Sequence, residues 1–242
     1  MLVTSTNRLE DGVLERAFTL DDVPGVLWTP AAASLPVPLI LLGHPGGLRT
    51  MYPRLVARAR HAAAAGFAAA TIELPGSGER PRHADAEQAR ADLRAALAAG
   101  EPVDEIVDRL VLPLVERAVP EWQATLDALL ALPDLGGPVG YAGGVMAIGV
   151  RLAVVEPRVA AAVLFAGTFV PRSMFEEARQ ITIPLQVLLQ WDDEGNDRQM
   201  ALELFDAFGS GEKTLHANMG GHTGVPSFEE DAGNRFFVRH LT

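Results

Sequence analysis

The chain has no cysteine among its 242 residues. That removes disulfides, thiolate metal sites and a cysteine nucleophile together, and it suits a reducing, cytoplasmic setting. Positive charge is also scarce: 20 Lys and Arg against 31 Asp and Glu leave a formal charge of −11, and Lys213 is the sole lysine. Nucleic acid and anionic membrane both demand clustered positive charge, so neither is an expected partner, whereas a small molecule is. No apolar run approaches the roughly 20 residues of a membrane span. The segment "MLVTSTNRLEDGVLERAF" places charges where a signal peptide has its apolar core. The histidines lack i, i+4 spacing and no His or Asp cluster offers three ligands, so no metal and no cofactor is expected. One further shortage bears directly on chemistry: no Ser, Thr or Cys occurs between Pro133 and Gly167.

What is present is a large apolar fraction, 48% of the chain, enough for a substantial core. "VLERAFTL" and "VPGVLWTP" read as short antiparallel lead-in strands closed by turn residues. "VPLILLGH", "AAATIEL", "VAAAVLFA" and "PLQVLLQW" are continuous apolar runs, the pattern of strands buried on both faces of a parallel sheet. A helix separates the first two, a βαβ unit, and helices are read before the third and after the fourth, so the fold class is α/β with a mostly parallel sheet and helices on both faces. From Ala84 to Val119 the pattern becomes a charged, alanine-rich helix, a break at "GEPVD" and a second helix, which reads as a helical cap inserted into one domain spanning 1–242. A new helix is expected to open at Pro120, since proline suits the first helical turn.

Three stretches carry candidate chemistry. "GPVGYAGGVMAIG" is a glycine-spaced turn between a strand and a helix, the kind that presents a nucleophile, yet Val145 stands at its tip. "LLQWDDEGND" ends a buried strand in adjacent acids, and "HANMGGHTGVP" places His222 after two glycines. In this order these stretches, with "GHPGG" after an earlier strand, resemble the α/β-hydrolase superfamily, and within it the dienelactone-hydrolase-like proteins, from about Pro38 onward. The resemblance aligns the nucleophile elbow with Gly143-Gly144-Val145-Met146-Ala147, so valine replaces the serine and alanine the last glycine. It implies His222 as the base and Asp193 as its carboxylate, with Asp192 the next choice and Glu194 a surface residue. It also implies an oxyanion hole from the backbone of Gly46 and Met146, because Pro45 cannot donate. His44 reads as a packed structural residue and His216 as a weaker base. Ser77, between two glycines, is explained by turn chemistry, and Trp122 and Trp191 by packing. A plain strand-to-helix turn with no role is the alternative for the glycine-rich segment.

Without an elbow hydroxyl no acyl-enzyme can form there, which excludes serine-type ester hydrolysis. General base catalysis survives, with Val145 as an apolar wall beside the reacting carbon. The chain is similar to relatives of the superfamily attached to tetronate and spirotetronate polyketide pathways, which implies a lyase eliminating acetate from an O-acetylated small molecule. Two alternatives stand beside it: a dienelactone-hydrolase-like ester hydrolase working without the usual serine, in which His222 activates water directly or an unusual nucleophile acts, and a non-catalytic protein that binds a ligand or partner. Oligomeric state is left open by the sequence.

Overall fold

A computed structural model describes residues 1–30 and 36–242. Strand β4 (Val37–Gly43) shows how the sequence builds the centre of the sheet. Its side chains alternate faces, so Leu39 and Leu41 join one apolar cluster while Ile40 and Leu42 join another. Both faces are covered, which is why the run reads as continuously apolar. The same holds for β5 (Ala68–Ile72), β7 (Val159–Phe165) and β8 (Leu185–Gln190). With β1 (Leu2–Arg8), β2 (Leu14–Leu20), β3 (Val23–Thr29), β6 (Leu135–Gly143) and β9 (Lys213–Asn218) they form one sheet in the order β1-β2-β3-β5-β4-β6-β7-β8-β9. Pairings from β1 to β5 are antiparallel, and all those from β5 through β9 are parallel.

Helices α1 (Leu48–Ala64) and α7 (Phe228–Leu241) cover one face. The helices α3 (Asp104–Leu130), α4 (Met146–Val155), α5 (Phe175–Ala178) and α6 (Arg198–Ala207) cover the other. The α1 side is fixed partly by a buried carboxylate: Glu15 accepts from Trp28 Nε1 at 2.7 Å and from the Tyr52 hydroxyl at 2.6 Å. Burial and that carboxylate push the Tyr52 phenol up to about 12.

The inserted helices differ from the sequence expectation. Helix α2 (Ala84–Ala99) is present, but α3 continues without a break through Pro113 and Pro120 to Leu130. Each interior proline costs about 3 kcal/mol. The stripe Val107, Val111, Val115, Ala118, Trp122, Leu126 and Leu129 is buried at three- and four-residue intervals, and that continuous burial offsets the cost. The boundary expected at Val119 therefore falls inside a helix. Strand β1, absent from the sequence reading, is exposed along its whole length, so no apolar alternation marks it.

Gly149 in α4 illustrates how close the packing is around the later site. A Cβ there would lie 2.6 Å from Tyr141 Cε1 and 2.7 Å from Leu164 Cδ2. Helix propensity alone favours alanine over glycine by about 1 kcal/mol, but overpacking of this kind costs roughly 1–3 kcal/mol. Gly149→Ala is expected to lower the chemical-denaturation midpoint; an unchanged or raised midpoint would show that Tyr141 has room to move.

Candidate active site

Beyond β8 the chain turns through Trp191, Asp192 and Asp193. Asp193 Oδ1 accepts from the Gly195 N–H at 3.0 Å, and Oδ2 lies 2.7 Å from His222 Nδ1. A carboxylate only accepts, so Nδ1 donates and Nε2 of the uncharged ring keeps its lone pair. The pair is dry at one end and wet at the other: the Asp193 side chain is 2% exposed and that of His222 48%. The Phe165 ring stands edge-on to the imidazole, 5.7 Å between centroids, and closes one side of it.

Asp192 has a different task. Its Oδ1 accepts from the N–H groups of Gly220 and Gly221 at 2.8 and 2.9 Å, and these bonds hold its carboxyl below the usual carboxylate range. Gln190 Nε2 adds a bond to the Gly221 carbonyl at 2.8 Å. Both glycines have positive φ, +124° and +67°, a conformation that explains the "GG" before His222. The two adjacent acids thus divide the work, Asp193 orienting the imidazole and Asp192 pinning its loop. Glu194 is exposed.

The glycine-rich turn departs from expectation. Its positive φ, +117°, belongs to Gly143, where a Cβ would sit 2.5 Å from the Gly43 carbonyl oxygen. Val145 is the N-cap of α4 with ordinary extended angles, φ −71° and ψ 126°, and its side chain is buried in the cluster on the α3–α4 face. Beneath the turn, the buried Tyr141 hydroxyl makes long contacts of 3.5 Å to the carbonyls of Gly144 and Val145.

A cavity of about 490 Å³ lies between the strand ends, α1 and α7. His222, His44, Pro45, Gly143 and Gly144 line it near the strand ends, and Leu42, Val163, Leu188 and Phe237 supply apolar walls. Val145, Gly46 and Met146 are not among its lining residues, nor is any residue of 84–119. The expected valine wall is therefore absent, because the Val145 side chain packs into the cluster on the α3–α4 face. The inserted helices cover the opposite face instead of capping the cavity. Met146 opens α4, and Gly46 directly precedes Gly47, the N-cap of α1, so each sits at a helix N-terminus.

The other candidates fall outside the pair. His44 is buried, Nε2 donating to the Ile72 carbonyl at 2.9 Å, and burial lowers its pKa. His216 Nδ1 lies 2.7 Å from Glu229 Oε2, a second histidine–carboxylate pair. Ser77 belongs to a tight turn, its carbonyl accepting from the Arg80 N–H at 2.9 Å. Trp122 packs edge-on to Tyr141 and is buried, while exposed Trp191 lies under the Arg198 guanidinium at 4.4 Å. Among the described residues no group of three His, Cys, Asp or Glu could hold a metal ion, and no helix is long and apolar enough to cross a membrane.

No family model and no curated protein matches the chain. Solved structures do. A cold-adapted esterase from an Arctic intertidal metagenomic library is 28% identical with a TM-score of 0.78, each chain covered over 100% of its length. Acetyl xylan esterase 1 from Thermoanaerobacterium sp. JW/SL YS485 is 14% identical with a TM-score of 0.65, covering 97% of this chain and 86% of that one. A predicted CIB-like hydrolase from Thermoplasma acidophilum is 12% identical with a TM-score of 0.62, covering 97% and 100%. The chain has the α/β-hydrolase fold.

Within this α/β-hydrolase fold, several residues near the strand ends escaped the sequence reading. Glu73 follows β5 and accepts from the Leu48 N–H at 2.8 Å, satisfying a donor at the start of α1. An acid at the end of the wholly apolar run "AAATIEL" is the signal that could have revealed it. Tyr141 carried no such signal, and neither did Arg58, one of several arginines in the helix "YPRLVARARHAAAAGF".

Proposed function

We propose that the protein is an esterase-like hydrolase of small acylated molecules in which His222, oriented by Asp193, activates water directly. One observation carries this reading: a half-exposed imidazole, anchored at Nδ1 by a buried carboxylate, shares a cavity with Gly143 and Gly144, in a turn that has no hydroxyl side chain. The full-length likeness to a cold-adapted esterase supports ester chemistry. His222 Nε2 takes a proton from water as the oxygen attacks the acyl carbon. The oxyanion is not placed against Gly46 or Met146, the donors expected from the sequence, because neither lines the cavity. Collapse breaks the acyl C–O bond, and the imidazolium returns its proton to the departing alkoxide.

The lack of a hydroxyl at the elbow also favours a second reading, elimination. There His222 removes a proton from carbon, the alkyl C–O bond breaks, and a carboxylate such as acetate leaves behind an alkene. Turnover of an acetate ester in ¹⁸O-water separates the two. Water attack is expected to give acetate carrying one solvent oxygen together with an alcohol. Unlabelled acetate with a dehydrated product would replace hydrolysis by elimination.

A further inference from the structure

The cavity that holds His222 does not stop at the strand ends. Gly43, the last residue of β4, lines it, and so does Ile40, three residues earlier, so it extends about 10 Å along the strand beneath α1 and α7. Several of its polar groups are already bonded to the protein itself. At the strand ends Arg58 Nη1 donates to the Gly43 carbonyl at 3.3 Å and Nη2 to the Ala142 carbonyl at 2.9 Å. On the helix side Asn234 Nδ2 donates to the His61 carbonyl at 2.9 Å, and Glu229 is held by His216 at 2.7 Å and Asn218 at 2.9 Å. The sheet and helix walls between them are hydrocarbon, supplied by Ile40, Leu42, Ala62, Val163, Leu188 and Phe237.

Gly233 keeps this slot open. It is a buried residue inside α7 that lines the cavity, and its φ is negative, so its backbone does not call for glycine. Close packing does not call for it either: a Cβ there would meet only Val163 Cγ2, at 3.9 Å, an ordinary contact. Gly140 in β6 is the contrast, because a Cβ there would lie 2.6 Å from Phe237 Cε1. Glycine inside a helix is less stable than alanine, and an unfilled apolar space forfeits dispersion contacts. Both costs fall at one place, opposite Val163, and the second is recovered when a ligand's hydrocarbon fills the gap.

We propose that the slot between α1, α7 and the sheet holds an extended hydrocarbon chain, and that Gly233 sets the length it accepts. Resting on the reading of His222 as the base, this makes the substrate class esters that carry an unbranched alkyl chain, with the ester group at the strand ends and the chain passing between Val163 and Gly233. Gly233 is then a specificity-determining residue with no part in bond breaking. A larger side chain at this position would fill the slot and leave room for a shorter chain only.

The test is equilibrium binding of 1-hexanol and 1-octanol, uncharged probes with no ester bond, followed by NMR titration. The wild-type protein is expected to bind octanol roughly tenfold more tightly, since each buried methylene is worth about a fourfold gain. Gly233→Leu, with its fold checked by chemical denaturation, is expected to bind the two alcohols equally. Gly233→Ala is expected to raise the denaturation midpoint, because a better helix former enters open space, and to narrow the octanol preference. It decides the matter should the leucine variant not fold. Equal binding of the two alcohols by the wild type, binding of neither, an undiminished preference in either variant, or a lowered midpoint in Gly233→Ala would overturn the proposal. Binding is read without turnover, so octanol preference in a protein that cleaves no ester would defeat only the reading of His222 as the base. Ester cleavage without that preference would defeat only the role of the slot.

Discussion

His222→Ala is expected to lower turnover of an ester by about 10²- to 10⁴-fold, the range for losing a positioned general base. The loss should fall on kcat more than on KM, because the imidazole acts on water while the apolar walls of the cavity, Leu42, Val163, Leu188 and Phe237, contact the ligand. The loop bearing the ring is held by Asp192 and Gln190 through backbone atoms, so the variant should fold. Its denaturant midpoint should fall, because the buried Asp193 carboxylate loses its imidazole partner and keeps only the Gly195 N–H. Steady-state kinetics beside that control decide the matter, and a folded variant with near-native kcat would remove His222 from the mechanism.

Asp193→Asn tests the other half of the pair. Asparagine fits the same space but presents an amide, which can donate to Nδ1 and so favour the tautomer whose Nε2 carries the proton. That tautomer cannot accept a proton from water. A loss of roughly 10²- to 10⁴-fold in kcat is expected, as for other triads given the wrong tautomer. Asp192→Asn is the control, since its oxygen can still accept from Gly220 and Gly221. Its effect should be much smaller. Equal losses, or a larger loss at position 192, would show that loop placement and not ring orientation governs the rate.

The mostly parallel α/β sheet was legible because strands buried on two faces write themselves as unbroken apolar runs, and the α/β-hydrolase fold through the resemblance of the glycine, acid and histidine stretches in their order. What the sequence hid has physical causes. Strand β1 buries neither face and so has no apolar period. Prolines at 113 and 120 read as stops, but a helix with a continuous buried stripe tolerates them. At the site, the "DD" and "GGH" stretches pointed to the strand end and loop where Asp193 and His222 meet. Their division from Asp192 emerged only when both glycine N–H groups were seen to converge on one carboxylate oxygen. Val145 was read through its alignment with a nucleophile elbow, whereas its side chain packs into the core on the α3–α4 face and the positive φ of the turn belongs to Gly143. Arg58 was illegible because a charged residue on a helix normally faces water, and only the ends of two strands, distant in sequence, reveal what it touches.

Covalent labelling tests the central claim, ester cleavage without an acyl-enzyme, most directly. The protein would be incubated with a fluorophosphonate, which reacts with hydroxyls activated as nucleophiles, and weighed intact by mass spectrometry beside an unlabelled control. An unchanged mass is expected, in a preparation whose ester turnover depends on His222. A stoichiometric adduct on Thr168, which lines the cavity, on Ser77 or on any other hydroxyl, with loss of that turnover, would contradict direct water activation and restore a nucleophile to the site.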